Sequence, residues 1–278
     1  MQVSILKRLS GIDASVYTEH LKTTPKDSHD FLPVITLNMQ SKVLEAFRNL
    51  IPYEQFFMVV DARTYKVIKA EGFEKWLGYN DRQLTMEGYL RMMSEEQLLS
   101  RNLYSYVLLK KMHQGLWSLD FMNQHADNLF SVRDRNGNWV TLKRSAYVFQ
   151  HDEKHRLLEY FNHFTIVAHE KLQPMGMRIM DNEGKRLLKY EGEIKTGVKA
   201  IVEESGIFSA QQVVIVNAIL EEDQNDCGIK RISELTGLNP EAVKTQVLRI
   251  RNKVNELLNS KFLNSVEAVL YLRQQGLI

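Results

Sequence analysis

The chain has 278 residues, 44% of them hydrophobic and 25% charged, with a formal net charge of +2 and a single cysteine. Such a composition buries substantial cores and predicts a soluble globular protein of about two domains; one thiol excludes an intramolecular disulfide and fits a reducing compartment such as a bacterial cytoplasm. Met1 to Gly11 holds no apolar stretch long enough for a secretory signal, and no apolar run reaches the roughly 18 residues of a membrane span, so no membrane contact is expected.

Residues 1 to 52 read as an N-terminal helical segment. Residues 22 to 30 form a polar loop, and Ser41 to Leu50 follows as an amphipathic helix with Val43, Leu44, Phe47 and Leu50 on its apolar side and Pro52 as its stop. That side covers either a neighbouring sheet or a partner.

Residues 53 to 169 open with two strands rich in β-branched and aromatic side chains, Phe56 to Val60 and Lys66 to Ala70, around a turn at Asp61-Ala62-Arg63. A region of helical character follows, including Glu74 to Tyr79 and Glu95 to Met112, and then three further strands, Leu129 to Asp134, Trp139 to Gln150 and Leu157 to Val167. The Asn136-Gly137 pair marks a hairpin between the first two of these. Trp76-Leu77-Gly78-Tyr79-Asn80-Asp81-Arg82-Gln83-Leu84 resembles the Leu-x-Gly-Tyr-Ser-x-x-Glu-Leu element of PAS domains, and Val132 to Val140 resembles their Arg-x-x-Asp-Gly hairpin. The resemblance implies an antiparallel sheet whose concavity, closed by helices, takes a small molecule or cofactor, or whose face dimerises. Which ligand or cofactor remains unknown. Cysteine-based flavin photochemistry is excluded because Cys227 lies elsewhere in the chain, and His113 and His125 are the candidate axial donors for haem, against their reading as ordinary surface or core residues. Phe73, Trp76, Tyr89 and Trp117 either line an apolar pocket or fill the core. His151 and His155 stand four apart, but Glu does not follow the first and the stretch falls between strands, so a polar turn is expected and no metal site. No nucleophile motif, phosphate loop or catalytic carboxylate pair is present, and the chain is not read as an enzyme.

Residues 170 to 205 read as a linker with a small hairpin at Arg178 to Leu188 and a helix at Glu193 to Glu204, whose stripe of Ile194, Val198, Ile201 and Val202 either dimerises or packs on its own domain. Residues 206 to 278 carry four helical patterns. Ser209 caps the first, with Val213, Val216, Ile219 and Leu220 as its apolar positions; Ile229 to Leu235 is the second, stopped by Gly237. Asn239 caps the third with Pro240 at its first position, and Asn264 or Ser265 caps the last. The second and third, joined by so short a glycine-containing turn, have the form of a helix-turn-helix. On a wheel of about 100° per residue, Val243, Val247, Ile250 and Val254 share one side of the third helix. Glu241, Thr245, Leu248 and Asn252 lie opposite, flanked by Lys244 and Arg251 on one shoulder and Arg249 and Lys253 on the other. Short side chains at base edges with cations toward both phosphate walls suit a major groove.

Ala242-Val243-Lys244-Thr245-Gln246, with Ile250 and Lys253-Val254, resembles the Thr-Val-Lys-Thr-His reader stretch of LuxR-type DNA-binding domains, and Glu267 to Tyr271 with Gly276-Leu277-Ile278 resembles their ending. The resemblance implies groove contact by residues 240 to 255 and dimer contacts by 264 to 275. The family's opening Leu-Thr-x-Arg-Glu-x-Glu-Val is here Phe208 to Ile215 without its charges, so its internal ion pairing is not expected.

The expected fold is α+β, a PAS-like antiparallel sheet with helices followed by an all-α four-helix unit, and the expected function is signal-controlled transcription regulation. Residues 206 to 278 contain eight Lys or Arg and eight Asp or Glu, so a single copy should bind DNA weakly and two copies are needed. The expected partners are double-stranded DNA, a second copy of the chain, a small molecule in the PAS-like unit, and RNA polymerase. The neutral balance and the uncharged Gln211, Gln212 and Val214 leave open a competing reading, in which the C-terminal helices bind a protein rather than DNA. A phosphoacceptor receiver is excluded by the absence of an acidic pocket and of alternating strand-helix order. Acyl-lactone sensing is not expected, since the Trp, Tyr and Asp constellation of that sensor family is not found at its expected spacing.

Overall fold

The computed structural model describes residues 6, 8 to 10, 32 to 117, 120 to 222 and 228 to 278; the expected polar loop at 22 to 30 and Cys227 lie outside the described residues. Helix α1 spans Leu37–Arg48, earlier than its apolar pattern suggests because the Thr36 hydroxyl caps the Met39 N–H. Its apolar side rests on the sheet, with the Phe47 ring 4.7 Å from that of Phe161.

Among the described residues six strands form one antiparallel sheet: β1 Gln55–Asp61, β2 Lys66–Glu71, β3 His125–Arg133, β4 Trp139–His151, β5 Leu157–Ala168 and β6 Met175–Met180, in spatial order β2-β1-β5-β4-β3-β6. Strand β6, expected within a connecting hairpin, instead completes the open edge of β3, with Ala126 opposite Ile179. The turn that follows is closed by a bridge between Met180 and Arg186. Between β2 and β3 lie α2 (Phe73–Leu77), α3 (Met86–Arg91) and α4 (Glu95–His113). The fold is therefore α+β.

The period-2 alternation of the strands sends Ala126, Phe130, Val132, Leu142, Ala146 and Val148 toward α4. Phe57, Val59, Phe149 and Phe161 form a second, smaller cluster under α1. Phe73 and Tyr89 are fully buried on the α4 side and Trp117 nearly so, which makes them core; Trp76 is half-buried and its indole N–H donates to the Ile51 carbonyl at 2.7 Å.

Helix α4 is unusual in having no water side, since every residue from Gln97 to Leu109 is buried. One flank faces the sheet. Another packs on α5 (Leu188–Glu204), where Gly197 allows the close approach: a Cβ there would meet Val107 at 2.7 Å. The stripe Ile194, Val198 and Val202 is thus used inside the chain. A third flank meets the C-terminal helices α6 (Ala210–Glu221), α7 (Ile229–Thr236), α8 (Pro240–Leu258) and α9 (Ser265–Gln274). The core of these four comprises Ile215, Ile219, Ile232, Val243, Ile250, Val254, Val269 and Leu272.

Candidate nucleic-acid interface

The C-terminal helices start and stop on local signals. Ser209 and Gln212 form a reciprocal capping box at the start of α6. Gly237 ends α7 with φ +68°, where a Cβ would be strained, and two residues later Asn239 caps α8, its Oδ1 accepting from Glu241 N at 2.9 Å, with Pro240 in the first turn. Asn264 caps α9 through Glu267 N at 2.9 Å. The short α7-α8 turn is what brings the first turns of α8 to the surface.

On α8, Val243, Ile250 and Val254 are buried and Val247 half-buried, so the apolar side faces α6 and α7. Glu241, Lys244, Thr245, Leu248, Arg249 and Asn252 are exposed; among the described residues the Lys244 ammonium and the Arg249 guanidinium end in solvent with no hydrogen bond or ion pair. Thr245 Oγ1 donates back to the Glu241 carbonyl at 2.9 Å, which restricts its rotamer. Leu248 exposes about half its surface at the centre of this stripe, a cost in water that contact with an apolar base edge would remove.

The two remaining predicted residues are used differently. Lys253 is half-buried and its ammonium donates to the Ile207 carbonyl at 2.6 Å and to Gln212 Oε1 at 2.8 Å, so it ties α8 to the entrance of α6. Arg251 donates to the Leu263 carbonyl at 3.1 Å and to Asn252 Oδ1 at 3.2 Å, bracing the turn before α9. Gln246, not singled out from the sequence, links the same parts: its amide donates to Gln211 Oε1 and accepts from Gln212 Nε2, both at 3.1 Å. Neutral amides with one lysine thus stand where the resemblance implies ion pairs. Arg231 on α7 is also committed, paired with Glu222 at 2.8 Å, whose carboxylate raises the guanidinium's already high pKa.

The four-helix unit is docked on α4. Ser100 Oγ donates to the Gln275 carbonyl and Tyr104 Oη to the Gly276 carbonyl, each at 3.2 Å, and Tyr271 Oη donates to the Glu96 carbonyl at 3.2 Å. Asn259 meets the Glu95 carboxylate at the far end of α8. Burial pushes the Tyr104 hydroxyl up to about 12 and the Tyr271 hydroxyl up as well, so both remain donors at any physiological pH. The stripe on α8 stays exposed beside this contact. Residues 264 to 275, expected to dimerise, thus already spend part of their surface within the chain.

In the sheet unit, His125 packs on the Tyr147 ring at 4.7 Å and stands 3.4 Å from Asp127 Oδ1, on the face away from α4 and outside the concavity. His113 is buried at the end of α4. Residues 152 to 156 form the polar turn between β4 and β5, organised by Asp152, which accepts from Arg156 N at 2.8 Å and Arg156 Nε at 2.6 Å. Among the described residues no three His, Cys, Asp or Glu side chains gather as a metal site requires, and no helix is long and apolar enough to cross a membrane.

No family model matches the chain, and no curated protein matches it. Among solved structures it is similar at low level to a phage VqmA-DPO complex, at 14% identity over 87% of this chain and 92% of that one, with a TM-score of 0.28. A Vibrio cholerae VqmA-ligand-DNA complex matches at 8% identity over 84% and 89%, and a Vibrio cholerae VqmA dimer without target DNA at 9% over 84% and 88%, both with TM-scores of 0.27. Likeness at that level is too distant to carry a shared fold, and the chain's function has to be read from its own geometry.

Proposed function

We propose that the chain is a DNA-binding transcription regulator in which a PAS-like sheet unit receives a signal and sets the position of a LuxR-like helix-turn-helix. The carrying observation is the stripe Glu241, Lys244, Thr245, Leu248, Arg249 and Asn252, exposed on one helix, with its two outer cations left without protein partners. Free cations flanking short side chains match phosphate walls around base edges. Coupling is supported by α4, where Ser100 and Tyr104 hold the C-terminal turn while Arg101 and Ser105, one residue further round, open on the concavity of the sheet. A signal acts through such a helix only if it binds one arrangement better than the other.

The test is retention of genomic fragments against competitor DNA over a salt series. Lys244→Ala and Arg249→Ala should each weaken binding to every sequence and reduce the salt slope by about one, whereas Thr245 and Asn252 substitutions should change which sequence is preferred. Binding with no preference over competitor, or variants indistinguishable from the parent, would sink the reading in favour of a protein partner for the same stripe.

A further inference from the structure

We propose that Glu241 and Leu248 read bases directly, Glu241 accepting from the exocyclic amine of a cytosine and Leu248 packing on the methyl group of a thymine within about three base pairs of it. This rests on the reading of α8 as a helix that enters the major groove. Glu241 stands in the first turn of α8, the end of such a helix that reaches base edges. It is exposed, and among the described residues its carboxylate takes part in no hydrogen bond or ion pair, although Lys244 lies one turn along the same helix. Leu248 follows two turns after Glu241, with 49% of its surface exposed. At helical pitch it falls within about 20° of the same line and about 10.5 Å further along the axis, the rise of about three base pairs.

The chemistry of the stripe assigns the bases. Lys244 and Arg249 are the cations for the phosphates. Arg251 Nε and Nη2 both donate to Asn252 Oδ1, at 3.4 and 3.2 Å, so Asn252 offers a groove chiefly its N–H groups. The Thr245 hydroxyl has given its hydrogen to the Glu241 carbonyl. Glu241 is thus the stripe's one anionic acceptor. A carboxylate between two phosphate walls is repelled by both, and it loses its water without return unless a base donates to it. On the major-groove edge guanine shows two acceptors, thymine an acceptor beside its methyl group, and adenine an acceptor beside its amine; cytosine shows its amine alone. Cytosine therefore gives the carboxylate a donor with no opposing lone pair. Leu248 has the opposite need. It makes no hydrogen bond through its side chain, and the thymine methyl group is the apolar surface that the groove floor offers.

Selection of the full chain on a random duplex library, followed by titrations on the recovered sequence, tests both contacts. The parent should recover a half-site holding a cytosine and a thymine within about three base pairs. Glu241→Gln should recover adenine in place of that cytosine, because a glutamine amide pairs with adenine N6 and N7, and should bind the parent's sequence about tenfold more weakly. Uracil in place of the thymine removes one methyl group; it should weaken the parent about fourfold and Leu248→Ala not at all. Both side chains are exposed, so neither variant should lose its fold. A Glu241→Gln variant that recovers the parent's own sequence would overturn the cytosine contact, and if it also melts lower, Glu241 serves only the start of the helix. Equal affinity for thymine and uracil in the parent would overturn the thymine contact. Either result beside a sequence enriched by the parent fails this proposal alone. Recovery of no sequence above the input library fails the regulator reading, and this proposal with it.

Discussion

Lys253 and Arg249 show what a single side chain decides on this surface. They stand one turn apart on the same shoulder of α8, yet Arg249 ends in solvent and Lys253 reaches Ile207 and Gln212. Lys253→Met should therefore lower unfolding stability by about 1 kcal/mol while leaving the salt slope of DNA binding unchanged, the reverse of Lys244→Ala; urea melts and a salt series on both variants separate the two roles. A second residue sets a pH limit. His163, half-buried on β5 with Nε2 2.7 Å from Gln55 Oε1, has its pKa lowered from the ordinary 6.5 to about 4, first by burial and then by Lys143. Its depressed folded value means that above pH 6.5 neither state is protonated. As pH falls from 6.5 through 4 the unfolded chain takes up a proton that the native one refuses, and up to about 3 kcal/mol of stability is lost. His163→Gln should flatten that part of the stability profile, measured by urea unfolding at stepped pH; parallel profiles for parent and variant would rule the histidine out.

At the scale of elements, the C-terminal turn and α4 make the next prediction. Gly276 has φ +66°, and a Cβ on it would fall 2.1 Å from Tyr104 Oη. Gly276→Ala should therefore push the turn off Tyr104, destabilise the docking by about 1–2 kcal/mol and speed amide exchange from Tyr271 to Ile278, read by hydrogen-exchange mass spectrometry. Unchanged exchange there would mean that the docking does not depend on this contact. The helices of this unit were legible in the sequence because caps are local: Ser209, Asn239, Gly237 and Asn264 each act within four residues of themselves. Strand β6 was not: Met175, Met177 and Ile179 alternate with Gly176 and Arg178, but the stretch is only six residues long and becomes a strand because β3 offers an open edge far away in sequence. The beginning of β3, His125-Ala126-Asp127-Asn128, was missed for the same reason, its polar residues being held by pairing with Tyr147 to Arg144. On α8 the wheel placed each side chain at an angle but not against a neighbour, so it could not separate Lys253 from Arg249.

The whole molecule has a small charge, +2, and its C-terminal unit is balanced. Long-range attraction to DNA is therefore weak, and affinity rests on a few local contacts. With Lys244 and Arg249 as the free cations of the stripe, two copies on two half-sites neutralise about four phosphates, giving a slope of log K against log salt of about −4, and a single copy about −2. Retention measured over protein concentration and salt together should give the steeper slope with sigmoidal occupancy. A slope of about −2 with hyperbolic occupancy would show one copy acting alone.

Helix α4, enclosed from Gln97 to Leu109, carries a consequence for heredity rather than for energy. A helix that touches water somewhere can absorb substitutions there; this one cannot, because each of its residues already belongs to the sheet, to α5, to the C-terminal turn or to Leu9, whose carbonyl accepts from Asn102. Its two ends of allegiance must then drift together. A chimera that grafts a foreign C-terminal unit after Glu204 should be inactive unless Ser100 and Tyr104 travel with it, and lineages of this chain should exchange their halves rarely, if ever, as separate modules.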